Sequence, residues 1–83
     1  MSQTELVPGN LYRIRDKSLP ICHLYITPDR YFWEAIDNNE NIIVMYIEKT
    51  EIVNYHNYNI LKILYKNTIR YLVKEFIYFE EFI

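Results

Sequence analysis

The chain has 83 residues, of which 51 % are hydrophobic and 24 % charged, with a formal net charge of −2. This is the composition of one small folded domain, and a chain this short buries only a little over ~60 % of the surface its unfolded form exposes. One glycine and one cysteine nearly exclude a Gly-rich phosphate loop and wholly exclude an intramolecular disulfide framework or a Cys-based zinc knuckle.

Residues 1–5 are polar and unpatterned and are expected to fray, leaving one domain over 6–83. Pro8-Gly9 signals a turn. In Leu11-Tyr12-Arg13-Ile14-Arg15 strict alternation predicts a half-buried strand, with Tyr12 and Ile14 on one face and Arg13 and Arg15 on the other. Pro20 closes a polar connection, and residues 21–26 read as a second strand. Thr27-Pro28-Asp29-Arg30 carries a helix-start signal: a capping hydroxyl, a proline suited to the first helical position and an acid for the positive helix end. The aromatic residues that follow, 31–36, suit a strand equally well, so that segment stays open between helix and strand.

Asp37-Asn38-Asn39-Glu40-Asn41 reads as a turn whose asparagines can take left-handed conformations. The β-branched run over 42–47 is a strand, followed by polar bends at 49–51 and 54–57. Residues 59–65 and 69–73 form two more strands around a tight Lys66-Asn67-Thr68 turn. Residues 74–76 suggest a short helical turn before a last strand at 78–82. The sum is an all-β chain of about five or six short strands, and a small antiparallel barrel closes the edges of such a sheet.

The second half, from Asn41 to Ile83, resembles an SH3-type barrel. In that family an apolar strand ending in glutamate, here residues 42–48, leads through a polar bend to a strand opening with an aromatic, here Tyr58. A tight turn, another strand, a short 3₁₀ turn and a terminal strand complete the pattern; Gly9-Asn10-Leu11-Tyr12 is similar to the opening strand. The resemblance implies an SH3-like antiparallel barrel. It does not imply binding of Pro-rich peptides, because a tyrosine replaces the groove tryptophan and Val73 its proline. The turn glycine is absent too.

No catalytic constellation emerges, and the chain is not expected to be an enzyme or to need a metal or other cofactor. Cys22 and His23 are adjacent on one strand and face opposite ways; His56 lies in a polar bend. Glu80 and Glu81 are likewise adjacent and make a poor acid–base pair. The apolar runs, about five residues long, fall far short of the ~20 of a membrane helix. With no signal pattern at the N-terminus, a cytoplasmic chain with no membrane partner is expected.

The aromatic count bears most on function. Nine Tyr, four Phe, one Trp and thirteen Ile exceed what a core of about fifteen to twenty side chains holds. Some of Tyr25, Tyr31, Phe32, Trp33, Tyr46, Tyr55 and Tyr58 must therefore be exposed, and Tyr and Trp are favoured at interfaces. The candidate protein interface is Arg30, Tyr31, Phe32, Trp33, Tyr55 and Tyr58, because three adjacent rings cannot all face one core. Arg13 and Arg15 are the candidate anion-binding pair. The expected function is a non-enzymatic protein–protein interaction module, binding itself or a larger protein. Usage rich in Phe, Tyr, Met, Ile, Asn and Lys marks an AT-rich genome, which suggests a phage or viral accessory factor that inhibits a host defence protein. The alternatives are a homo-oligomer that binds a nucleotide, another small ligand or nucleic acid, and a virion structural subunit.

Overall fold

A computed structural model describes residues 5–52 and 56–82. Seven strands among the described residues form one antiparallel sheet: β1 (Leu11–Asp16), β2 (Ile21–Tyr25), β3 (Trp33–Asp37), β4 (Ile42–Lys49), β5 (Ile60–Tyr65), β6 (Thr68–Val73) and β7 (Ile77–Glu81). The order across the sheet is β3-β2-β6-β5-β4-β1-β7. The all-β antiparallel reading thus holds, with seven strands where five or six were expected. The sheet is not closed: β3 and β7 are left as its two edges. No described helix is long and apolar enough to cross a membrane.

Alternation builds the core. Tyr12 and Ile14 of β1, Cys22 and Leu24 of β2, and Ile42, Val44 and Tyr46 of β4 turn inward, while their sequence neighbours point out. Ile36, Leu61, Ile63, Leu72 and Ile77 complete the cluster, with Leu6, Tyr65 and Phe79 packed against it. Burial of such side chains contributes about 1.5–3 kcal/mol each. Tyr46, among the tyrosines considered for exposure, is buried. A register shift in the β4–β5 pairing between Tyr46 and Glu48 bends the strand and helps the sheet curl around its core.

The connections show where sequence and structure part. Thr27 to Arg30 starts no helix; it is a turn, and the undecided segment becomes β3 from Trp33. The Asn38–Asn41 turn does not use left-handed asparagines. Asp37 closes it instead, accepting from the Asn39 amide at 2.8 Å through its carboxylate and from the Glu40 amide at 3.0 Å through its carbonyl. Among the described residues the left-handed ones are Arg30, Asn57, Lys66 and Asn67, besides Gly9. Lys66 and Asn67, both at positive φ between the paired Tyr65 and Thr68, form the β5–β6 turn that lacks the expected glycine. The helical turn before the last strand is present as a 3₁₀ turn, Lys74–Phe76. The fraying expected at the N-terminus falls mostly on residues 1–4, outside the described residues.

One side chain performs part of the missing closure. Asn38, after β3, accepts from the Asp16 amide at 3.1 Å and donates to the Asp16 carbonyl at 3.2 Å and the Leu19 carbonyl at 2.7 Å. Its carboxamide thereby ties the end of β3 to the end of β1.

Candidate functional site

The β2–β3 hairpin carries the two most exposed aromatic residues among the described ones, Tyr31 and Phe32. Its strands pair Tyr25 with Trp33, His23 with Ala35 and Ile21 with Asp37, so all six side chains share the outer face. Tyr31 is 74 %, Phe32 61 % and Trp33 53 % exposed, which meets the expectation that three consecutive rings could not all enter the core.

A compact turn holds them out. The Ile26 amide donates to the Phe32 carbonyl at 2.8 Å and the Arg30 amide to the Thr27 carbonyl at 3.0 Å. The Thr27 hydroxyl donates to the Asp29 carboxylate, which also accepts from the Tyr31 amide at 3.0 Å. These bonds, the Thr27 hydroxyl foremost, hold the Asp29 carboxyl below its ordinary range. Thr and Asp side chains can satisfy backbone donors at a helix start and in such a turn alike, and the fixed φ of Pro suits both. The left-handed Arg30 (φ 65°) then reverses the chain so that Tyr31 and Phe32 project, their ring centroids 5.5 Å apart.

From this tip the rings spread over the outer surface. His23 meets Trp33 edge-on at 5.9 Å and stacks with Tyr25 at 6.2 Å. Tyr25 pairs with Tyr71 of β6. Burial raises the Tyr25 hydroxyl above its ordinary value, while Arg30 pulls it down. Arg30 lies 5.4 Å from the Tyr58 ring centroid, and Tyr58 meets Phe76 edge-on at 4.8 Å and stacks with His56 at 5.2 Å. The Asn59 amide donates to Glu75 at 2.9 Å, and the Asn59 side chain bonds the same carboxylate, fixing the 3₁₀ turn beneath these rings.

The structure therefore brings together Arg30 and Tyr58, sets the Tyr31 and Phe32 rings against each other and places Trp33 against His23. Tyr55 lies outside the described residues. His23, Tyr71 and Phe76 belong to the same surface but were not among the candidate interface residues; Tyr25, also there, was named only among the aromatics that could be exposed. The i, i+2 spacing of His23 and Tyr25 signalled a shared face; their meeting with Trp33 depends on a hairpin register that the undecided segment concealed.

Arg13 and Arg15 do share a face. They line an open cleft of about 370 Å³ with Asn38, Asn39, Glu40, Asn41, Tyr78 and Glu80. Arg13 pairs with Glu80 at 3.5 Å and Arg15 lies 5.2 Å from the Tyr78 ring centroid. Two arginines there face two carboxylates, so the cleft has no strong positive excess. Cys22 is buried, and burial, helped by Asp16, pushes its thiol up to about 12, which leaves it protonated and unreactive at neutral pH. Among the described residues no group of three His, Cys, Asp or Glu side chains could hold a metal ion.

No family model matches the chain, and neither a curated protein nor a solved structure matches it.

Proposed function

We propose that the protein is a non-enzymatic interaction module that docks its β2–β3 aromatic face on a larger protein. The observation that carries this reading is the projection of Tyr31, Phe32 and Trp33 into solvent by a turn whose polar groups are satisfied locally. Rigid exposed aromatics beside an arginine are the side chains that dominate binding energy at protein interfaces. Arg30, Tyr58 and Phe76 extend the surface. The fold is read as an SH3-like half-open barrel, supported by the chain order of meander, 3₁₀ turn and a terminal strand returning to β1. The residue usage suits a phage or viral accessory factor in the host cytoplasm, where the bound protein would be a host defence protein that it inhibits.

Native mass spectrometry of the tagged protein purified from its natural host, or from infected cells, tests the reading. A partner at fixed stoichiometry is expected. Trp33→Ala should weaken its retention about thirty-fold, equivalent to about 2 kcal/mol, with an unchanged circular dichroism spectrum and little dependence on salt. Retention unaffected by Trp33→Ala and by Tyr31→Ala would defeat the proposal. A bound nucleotide, or affinity falling steeply with salt, would favour the Arg13 and Arg15 cleft instead; its mixed charge argues against that reading.

A further inference from the structure

The β2–β3 hydrogen bonds determine what the other side of β3 offers. The Ile26 amide donates to the Phe32 carbonyl, and at the opposite end of the hairpin the Asn38 amide donates to the Pro20 carbonyl at 2.9 Å. Antiparallel pairing alternates, so with the printed register Phe32, Glu34, Ile36 and Asn38 bond inward to β2. Trp33, Ala35 and Asp37 direct their main-chain groups away from the sheet, toward an edge that no described strand covers. The complement of that edge is another extended chain.

We propose that this chain is a second copy, paired antiparallel through β3 about a twofold axis at Ala35. Other self-pairings of β3 are poorer. Centring on Glu34 or Asp37 sets a carboxylate against its own copy, centring on Trp33 shortens the ladder, and centring on Ile36 loses one pair. Centring on Ala35 overlaps all five residues of the strand. Trp33 then lies opposite the partner's Asp37, and Glu34 opposite the partner's Ile36, with no like charges facing. Glu34 is itself held by Arg70 at 3.3 Å.

Side-chain size agrees with this axis. Ala35 is the only alanine in the chain, and it leaves room at the axis for a Trp33 indole on either side, each able to donate to the opposing Asp37 carboxylate. The ladder supplies about six main-chain hydrogen bonds, two for each of its three hydrogen-bonded pairs. A twofold contact of this kind closes on itself and forms no filament. It also brings the two aromatic faces together on one side of a continuous sheet. The inference does not rest on the docking proposal, because the ladder forms through the main-chain edge of β3.

Sedimentation equilibrium tests it. The wild type should approach twice its chain mass of 10.2 kDa as concentration rises. Ala35→Pro removes an outward amide that the hairpin does not use, and Ala35→Glu places two carboxylates at the axis. Both variants should stay at one chain mass, and Ala35→Glu covers the case in which the proline variant fails to fold. A wild type that remains at one chain mass up to millimolar concentration overturns the proposal. So does a dimer that survives in folded Ala35→Glu, or growth beyond two chains.

Discussion

β3 and β7 are the two edges of one sheet, yet they are finished differently. Every residue of β7 is in register with β1, Ile77 is buried, and Phe79 meets Tyr12 edge-on at 6.1 Å. The side chains on its outer face also meet those of β1, with Arg15 over Tyr78 and Glu80 paired with Arg13, although the main-chain groups of Ile77, Phe79 and Glu81 face an open edge as those of β3 do. β3 buries only Ile36, and its partner β2 joins the rest of the sheet through the single registered pair Tyr25 and Tyr71. One edge is built into the core. The other is held by its hairpin, one side-chain clamp and one ion pair, and it leaves Trp33, Ala35 and Asp37 uncovered. A chain that needs a stable core and an accessible binding strand can assign the two tasks to opposite edges.

The largest effect that would test this contrast is loss of the β7 anchor. Ile77→Ala should cost about 3 kcal/mol of unfolding free energy, read by urea denaturation; a cost near zero would remove the difference between the edges. Asn38→Ala should cost about 1 kcal/mol, because the Asp16 amide and the Asp16 and Leu19 carbonyls each lose a partner that water only partly replaces. Lys66→Asn places a residue more tolerant of positive φ in the β5–β6 turn and should add about 0.5 kcal/mol. That gain belongs to the framework and should leave amide exchange in β3 unchanged. Trp33→Ala should move stability by less than about 0.5 kcal/mol, and a larger loss would assign the indole to the core.

A smaller effect follows acid. Burial tends to raise the Glu75 carboxyl, but the Asn59 amide and side chain outweigh it and hold the folded value below the ordinary one. Its contribution is therefore complete above the ordinary glutamate value and is lost as pH falls through the lower folded value. Glu75→Gln should flatten that part of the stability–pH curve, and an unchanged curve would assign the clamp no energetic weight.

Much of this framework was legible in the sequence. The alternation in 11–15 and the apolar run over 42–47 locate β1 and β4 within one or two residues, since inward and outward positions differ in polarity there. β3 was not legible. Its opening residues are aromatic, and Thr27, Pro28 and Asp29 serve a helix start as well as the turn that the Ile26–Phe32 bond closes. Closure was misjudged because it depends on how strands from opposite ends of the chain meet, and local patterning does not encode that. The exposed rings followed from crowding alone. Their grouping with His23, Tyr71 and Phe76 required tertiary register.

The most direct test of the open edge is residue-resolved amide hydrogen exchange at several protein concentrations. Glu34 and Ile36, whose amides bond inward to β2, should be protected throughout. The Trp33, Ala35 and Asp37 amides should exchange quickly in dilute solution and gain protection together as concentration rises. Odd-numbered amides that stay unprotected at the highest concentration would contradict pairing through β3, and protection of all five in dilute solution would contradict the open edge itself.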